Sequence, residues 1–206
     1  MIERKKRKYN SRKREEGAEQ TRLRILEGTR SLLLEESYTG ITLDQIAERS
    51  GVARATVYLQ FGSKLGVLEA LAEYIDQIGL KELFAALALA TDPLEALHKA
   101  VRLEFAFSHA NARLLRTFRA QAVNDADFRT VVLGRLQQRR QNIERLVEWL
   151  LREGKLAEGW SVGEATDYLG TISSFPVYDE LVNLHGWNLE QSIHRTLDTI
   201  DDVLLV

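Results

Sequence analysis

The chain predicts an all-α protein: a small amino-terminal domain followed by a larger helical one. Three observations carry this. Only two prolines occur in 206 residues, so little interrupts a helix. Ala, Leu, Glu, Arg and Gln, the better helix formers, recur throughout. Strand-like runs closed by Asn-Gly or Asp-Gly turns are absent. At 45% hydrophobic and 28% charged residues, the composition supports one or two packed cores rather than a disordered chain.

The opening stretch "MIERKKRKYNSRKREEG" is basic and leads into no apolar run, so it is not read as a secretory signal. Residues 1–24 hold ten Lys or Arg against four Glu, which gives +6 and leaves −8 on the remainder of a chain whose net charge is −2. That asymmetry predicts a flexible basic arm over residues 1–16 and a polyanionic partner for that end alone. "LFAALALA" is too short to span a bilayer, so no membrane partner is expected. The absence of cysteine removes disulfides and thiolate metal sites and fits the cytoplasm.

From Gly17 to Glu36, Ile25, Leu26, Thr29, Leu32 and Leu33 return at helical spacing until "ESYTG" breaks the pattern. In "ITLDQIAERSG", Thr42 is placed to cap, Gln45 to complete a capping box, Ile41 to staple onto Ile46 and Gly51 to end a short helix. Val52 and Ala53 then separate Gly51 from "RATVYLQF". On propensity those last residues alternate like a strand. A strand there would have no partner, and two short helices joined by a tight glycine turn make a helix-turn-helix.

Ser63 can cap a long helix through "KLGVLEALAEYIDQIGLKELFAALALA", with a break near Gly79. Asp92 and Pro93 open a helix to about Ser108, and a separate one is expected from Ala112 to Val123. Phe128, Val132, Leu136, Ile143, Leu146, Val147 and Leu150 hold a helical period between Asp127 and Glu153. Ser161 with Glu164, and Asn188 with Gln191, cap the last two helices, expected over 162–184 and 189–205 with Pro176 kinking the first. The division is a basic arm (1–16), a helix-turn-helix domain (17–62) and a larger helical domain (63–206).

On a helical wheel Val57 and Phe61 face inward with Ala53, while Arg54, Ala55, Tyr58 and Leu59 face out. A helix fits the major groove, where arginine can donate two hydrogen bonds to guanine and apolar groups can touch thymine methyls. The stretch "ITLDQIAERSGVARATVYLQFGSKLGVL" resembles the DNA-binding signature of the tetracycline-repressor (TetR) family of bacterial regulators, most specifically in "GV…TVY..F.SK". The resemblance implies a three-helix DNA-binding domain on a larger domain that dimerises and binds a small effector. It makes Arg54, Ala55, Tyr58 and Leu59 candidates for base contact, and Thr42, Thr56, Gln60 and Lys64 candidates for phosphate contact. Ala53 stands where that family often has a serine cap, Gln60 replaces a frequent histidine, and "KLGVL" replaces a common charged pair.

Glu95 and His98 have the spacing of carboxylate-bridged di-iron bundles, but no second such pair exists, so neither metal nor cofactor is expected. No phosphate-binding glycine loop or nucleophile elbow argues for an enzyme. Phe84, Phe105, His109, Phe118, Trp149, Tyr168 and Phe175 are the set expected to line an effector pocket between bundle helices. Leu189, Ile193, Leu197, Ile200 and Leu204 form a stripe along the final helix, expected to join a homodimer on a pseudo-palindromic double-stranded operator. A helical enzyme or carrier with a structural helix-turn-helix, and a nucleoid-type binder without sequence preference, remain the alternatives.

Overall fold

A computed structural model describes the backbone of residues 2–35, 41–79 and 81–206, and the side chains of 15–35, 41–79, 81, 85 and 87–206. The described residues form ten helices: α1 (Ile2–Glu35), α2 (Leu43–Ser50), α3 (Arg54–Phe61), α4 (Lys64–Gly79), α5 (Lys81–Leu89), α6 (Pro93–Asn124), α7 (Ala126–Arg152), α8 (Val162–Ile172), α9 (Phe175–Asn183) and α10 (Leu189–Leu204). The fold class is the expected all-α one, and "RATVYLQF" is helical despite its alternation.

Three expectations about the elements change, and a fourth falls outside the described residues. The segment read as a flexible arm is helical from Ile2, continuous with α1, because neither proline nor glycine interrupts the run before Gly17. The break expected at "ESYTG" falls on residues 36–40, outside the described residues. The two helices expected between Pro93 and Val123 are one, α6; Asn111 there donates to the carbonyl of Phe107 and leaves the helix unbroken. The kinked helix over 162–184 is instead two helices. Ser173 caps α8 at its carboxyl end, Ser174 begins α9, and Pro176 sits in the first turn of α9, where a missing amide costs nothing.

The chain packs as two compact units, Met1–Tyr74 with Ala120–Val131, and Ile75–Arg119 with Val132–Val206. The first therefore takes in the start of α4 and the α6–α7 corner beyond the helix-turn-helix. Its buried residues include Ile25, Leu26, Leu33, Ile46, Val57, Leu68, Leu71 and, from the corner, Phe128. The second is built on Leu97, Val101 and Phe105 of α6, Val147 and Leu150 of α7, Leu169 of α8 and Tyr178 of α9, together with α10.

That last contribution includes the residues expected to join a dimer. Ile193, Leu197, Ile200 and Leu204 all lie inside the second unit's own core, with Leu189 packed against it. These side chains serve one subunit's interior, and the exposed side of α10 carries Arg195, Thr199 and Asp202 together with Val203.

Candidate nucleic-acid interface

The interface is built from α2 and α3. Thr42 closes a capping box: its hydroxyl accepts from the Gln45 amide at 3.3 Å and donates to Gln45 Oε1 at 2.9 Å, while its own amide donates to that Oε1 at 3.0 Å. Gly51 ends α2 with φ 63°, a left-handed turn that glycine adopts without a Cβ penalty. α3 then begins at Ala53, which offers no side-chain cap. The helix is instead anchored from below by Val57, which is fully buried. Phe61, half-buried, carries the guanidinium of Arg22 4.8 Å above its ring.

The opposite face is open. Arg54, Ala55, Tyr58 and Leu59 are all exposed, Tyr58 at 63% and Leu59 at 85%. Arg54 is not a bare cation, since its guanidinium donates to Asp44 of α2 at 3.2 Å. Both partners are well exposed, so the pair is weak and exchangeable. Thr56 and Gln60 are half-buried at the edges of this face.

Lys64 is placed differently from the other phosphate candidates. Its ammonium lies 2.6 Å from Asp125 and 3.3 Å from Asp127, at the α6–α7 corner of the same unit. Burial would lower its pKa, but the bonds to Asp125 and Asp127 outweigh that and raise it above its ordinary 10.5. Burial likewise pushes Asp125 up, and Lys64 together with the amides of Asp127 and Phe128 holds its carboxyl below the ordinary 3.8. The cation expected at a phosphate is thus committed to two carboxylates, a pairing with no sequence signal because sixty residues separate the partners.

In the second unit the expected pocket residues that are described occupy several places. Phe84 lies outside the described side chains. Phe105 is fully buried edge-on to Tyr178, their centroids 5.3 Å apart, and His109 meets the Tyr178 hydroxyl at 2.6 Å. Tyr168 packs on Trp160, Phe118 is buried, and Trp149 is half-buried on α7. Phe175 lines an open cleft of about 550 Å³, with Arg116, Arg119, Pro176, Asp179 and Leu184. Arg116 donates to Asp179 across it at 2.8 Å.

Sequence reasoning missed Arg139. Its guanidinium donates to the Gly170 carbonyl at 2.8 Å, to Glu104 at 2.8 Å and to the Ser173 hydroxyl at 2.7 Å. The carbonyl freed by the α8–α9 break is thereby satisfied from α7. His98, weighed as a metal ligand, sits 2.7 Å from Asp201.

Residues 25–71 match the family of bacterial regulatory proteins known as the tetR family. The chain is 31% identical over 126 residues to the nucleoid occlusion factor SlmA of Vibrio vulnificus, covering 61% of this chain and 63% of that protein. It is 31% identical over 97 residues to the HTH-type transcriptional regulator SrpR of Pseudomonas putida, covering 43% of this chain and 45% of that protein. It therefore spans less than two thirds of the length of these relatives. Among solved structures it resembles NalD, the secondary repressor of the MexAB-OprM multidrug efflux pump in Pseudomonas aeruginosa, with a TM-score of 0.73 at 20% identity over 92% of this chain and 98% of that one. A TetR transcription regulator from Haloarcula marismortui gives a TM-score of 0.69 at 20% identity, over 91% and 100% of the two chains. At such identities the likeness is one of fold.

Proposed function

We propose that this chain, whose residues 25–71 match the tetR family of bacterial regulatory proteins, is a sequence-specific regulator of transcription, a repressor bound to its operator as a homodimer and released by a small effector. The observation that carries this is α3: eight residues pinned by buried Val57 and presenting Arg54, Ala55, Tyr58 and Leu59 outward. A rigid helix with a cation, a phenol and apolar groups on its free face suits base edges in the major groove. Two such helices related by a two-fold axis would meet groove faces about 34–36 Å apart and require a pseudo-palindromic site.

The effector reading rests on the cleft between α6 and α9. Phe175, Pro176 and Leu184 give it an apolar wall, and Arg116 and Asp179 give it charge, which suits a ligand with an apolar body and a polar end. A ligand found by thermal-shift screening should lower operator affinity in titration. One that binds tightly and leaves operator affinity unchanged refutes the coupling.

Selection of bound sequences from random duplex DNA tests the main reading, with enrichment of one inverted repeat as the expected result. Equal affinity for unrelated duplexes would overturn it. A second reading, a chromosome-bound factor, is favoured by the 31% identity to a protein named as a nucleoid occlusion factor. Mapping bound sites across a genome separates the two: a repressor occupies a few sites at gene starts, a chromosome-bound factor many sites without regard to them.

A further inference from the structure

We infer that Leu59 reads thymine, by covering the C5 methyl group of that base in the major groove; the inference rests on the DNA-binding reading above. Leu59 is 85% exposed, more than any other large hydrophobic side chain among the described residues. It contributes little to the fold, because Val57, two residues earlier, already fills the space beneath α3. A lone exposed leucine is ordinary on a protein surface, and its neighbours decide what this one does. Ala55 and Leu59 stand four residues apart and form an apolar ridge along the helix. Arg54 and Tyr58, also four apart, form a polar ridge beside it.

The two ridges match the two kinds of information on base-pair edges. Hydrogen-bond acceptors such as guanine N7 and O6 suit the polar ridge, and the thymine methyl is the apolar feature of an unmodified major groove. The polar ridge is partly occupied in the free protein, where Asp44 accepts from Arg54 at 3.2 Å. Leu59, at 85% exposure, keeps most of its side chain in water, and docking withdraws that surface from water. Alanine at position 55 leaves room for a base edge to approach the leucine side chain.

Replacing thymine by uracil removes that methyl and nothing else. In the operator recovered by selection, each thymine is replaced by deoxyuridine in both half-sites, and affinity is measured for the wild type, Leu59→Ala and Leu59→Met. One thymine per half-site should be sensitive, costing the wild type about fourfold per half-site, the value of one buried methyl. Leu59→Ala should bind the thymine and uracil operators equally, and Leu59→Met should keep the discrimination. Melting temperatures should stay together, because the side chain is exposed. If no uracil substitution weakens the wild type, or if Leu59→Ala stays as sensitive as the wild type, the assignment is overturned while DNA recognition stands. If no preferred sequence emerges at all, the DNA reading fails and this inference with it.

Discussion

Lys64 decides a question at the residue scale: whether a cation at the start of α4 is spent on DNA or on the protein. Its ammonium holds Asp125 and Asp127, and Asp125 also accepts the Asp127 amide at 3.0 Å, which begins α7. Lys64→Ala should therefore destabilise the first unit by about 1.5–3 kcal/mol, as for hydrogen bonds to charged groups. Asp125→Ala should cost about 1 kcal/mol more, since it also removes a cap. The pH dependence follows from both shifts. Asp125 titrates lower when folded than its ordinary 3.8, so its contribution is present above that value and is lost as pH falls through the lower folded one. Lys64 titrates above its ordinary 10.5 when folded, so its contribution is complete below 10.5 and is lost as pH rises past the folded value. Melting curves of wild type and Lys64→Ala should differ by a constant amount across neutral pH and converge at both extremes. A difference that varies between pH 6 and 8 would mean that another group controls the pair. Arg54→Ala, by contrast, should leave melting unchanged and relax base preference at one position per half-site by about 1–3 kcal/mol, read from operator variants.

At the scale of elements, Gly66 explains why "KLGVL" follows the recognition helix. A Cβ built there would lie 2.1 Å from the Phe61 carbonyl oxygen, so the end of α3 rests against the first turn of α4. Gly66→Ala must push the two helices apart; it should cost about 1–3 kcal/mol in denaturant unfolding and weaken operator binding, because α3 moves with it. Unchanged affinity with reduced stability would show that α4 yields instead. Such close approaches are hard to read in sequence, where the glycine signals only a departure from family habit. What was legible had local causes: the Thr42 and Ser161 capping boxes and the Gly51 terminator are complete within a few residues. What was not legible depended on distant partners. Arg139 finds Gly170 and Glu104, and Lys64 finds Asp125, only after the helices have packed. The apolar stripe on α10 was visible as a stripe, but periodicity cannot say whether a helix face meets its own core or a second copy.

At the scale of the molecule, a two-fold regulator needs a self-complementary surface, and α10 has a second face to offer. With Ile193, Leu197, Ile200 and Leu204 turned inward, Arg195, Thr199 and Asp202 stand exposed along the outside. Residues 195 and 202 are two helical turns apart on one side. If two α10 helices pair antiparallel about an axis near Thr199, Arg195 of one protomer faces Asp202 of its partner, and the same pair recurs by symmetry. The Arg195 guanidinium, now 3.4 Å from Asp198 on its own helix, is exposed enough to turn outward. Reversing either charge places like charges opposite each other twice per dimer, so Arg195→Glu and Asp202→Arg should each shift the chain toward monomer at micromolar concentration in sedimentation velocity. The double variant, with both charges exchanged, should restore the dimer. Ile200→Ala serves as the contrast: it removes buried volume from the subunit core, so it should lower stability by about 2–5 kcal/mol without yielding a folded monomer. If Arg195→Glu stays fully dimeric while Ile200→Ala releases a stable monomer, the interior and interface faces of α10 have been assigned the wrong way round.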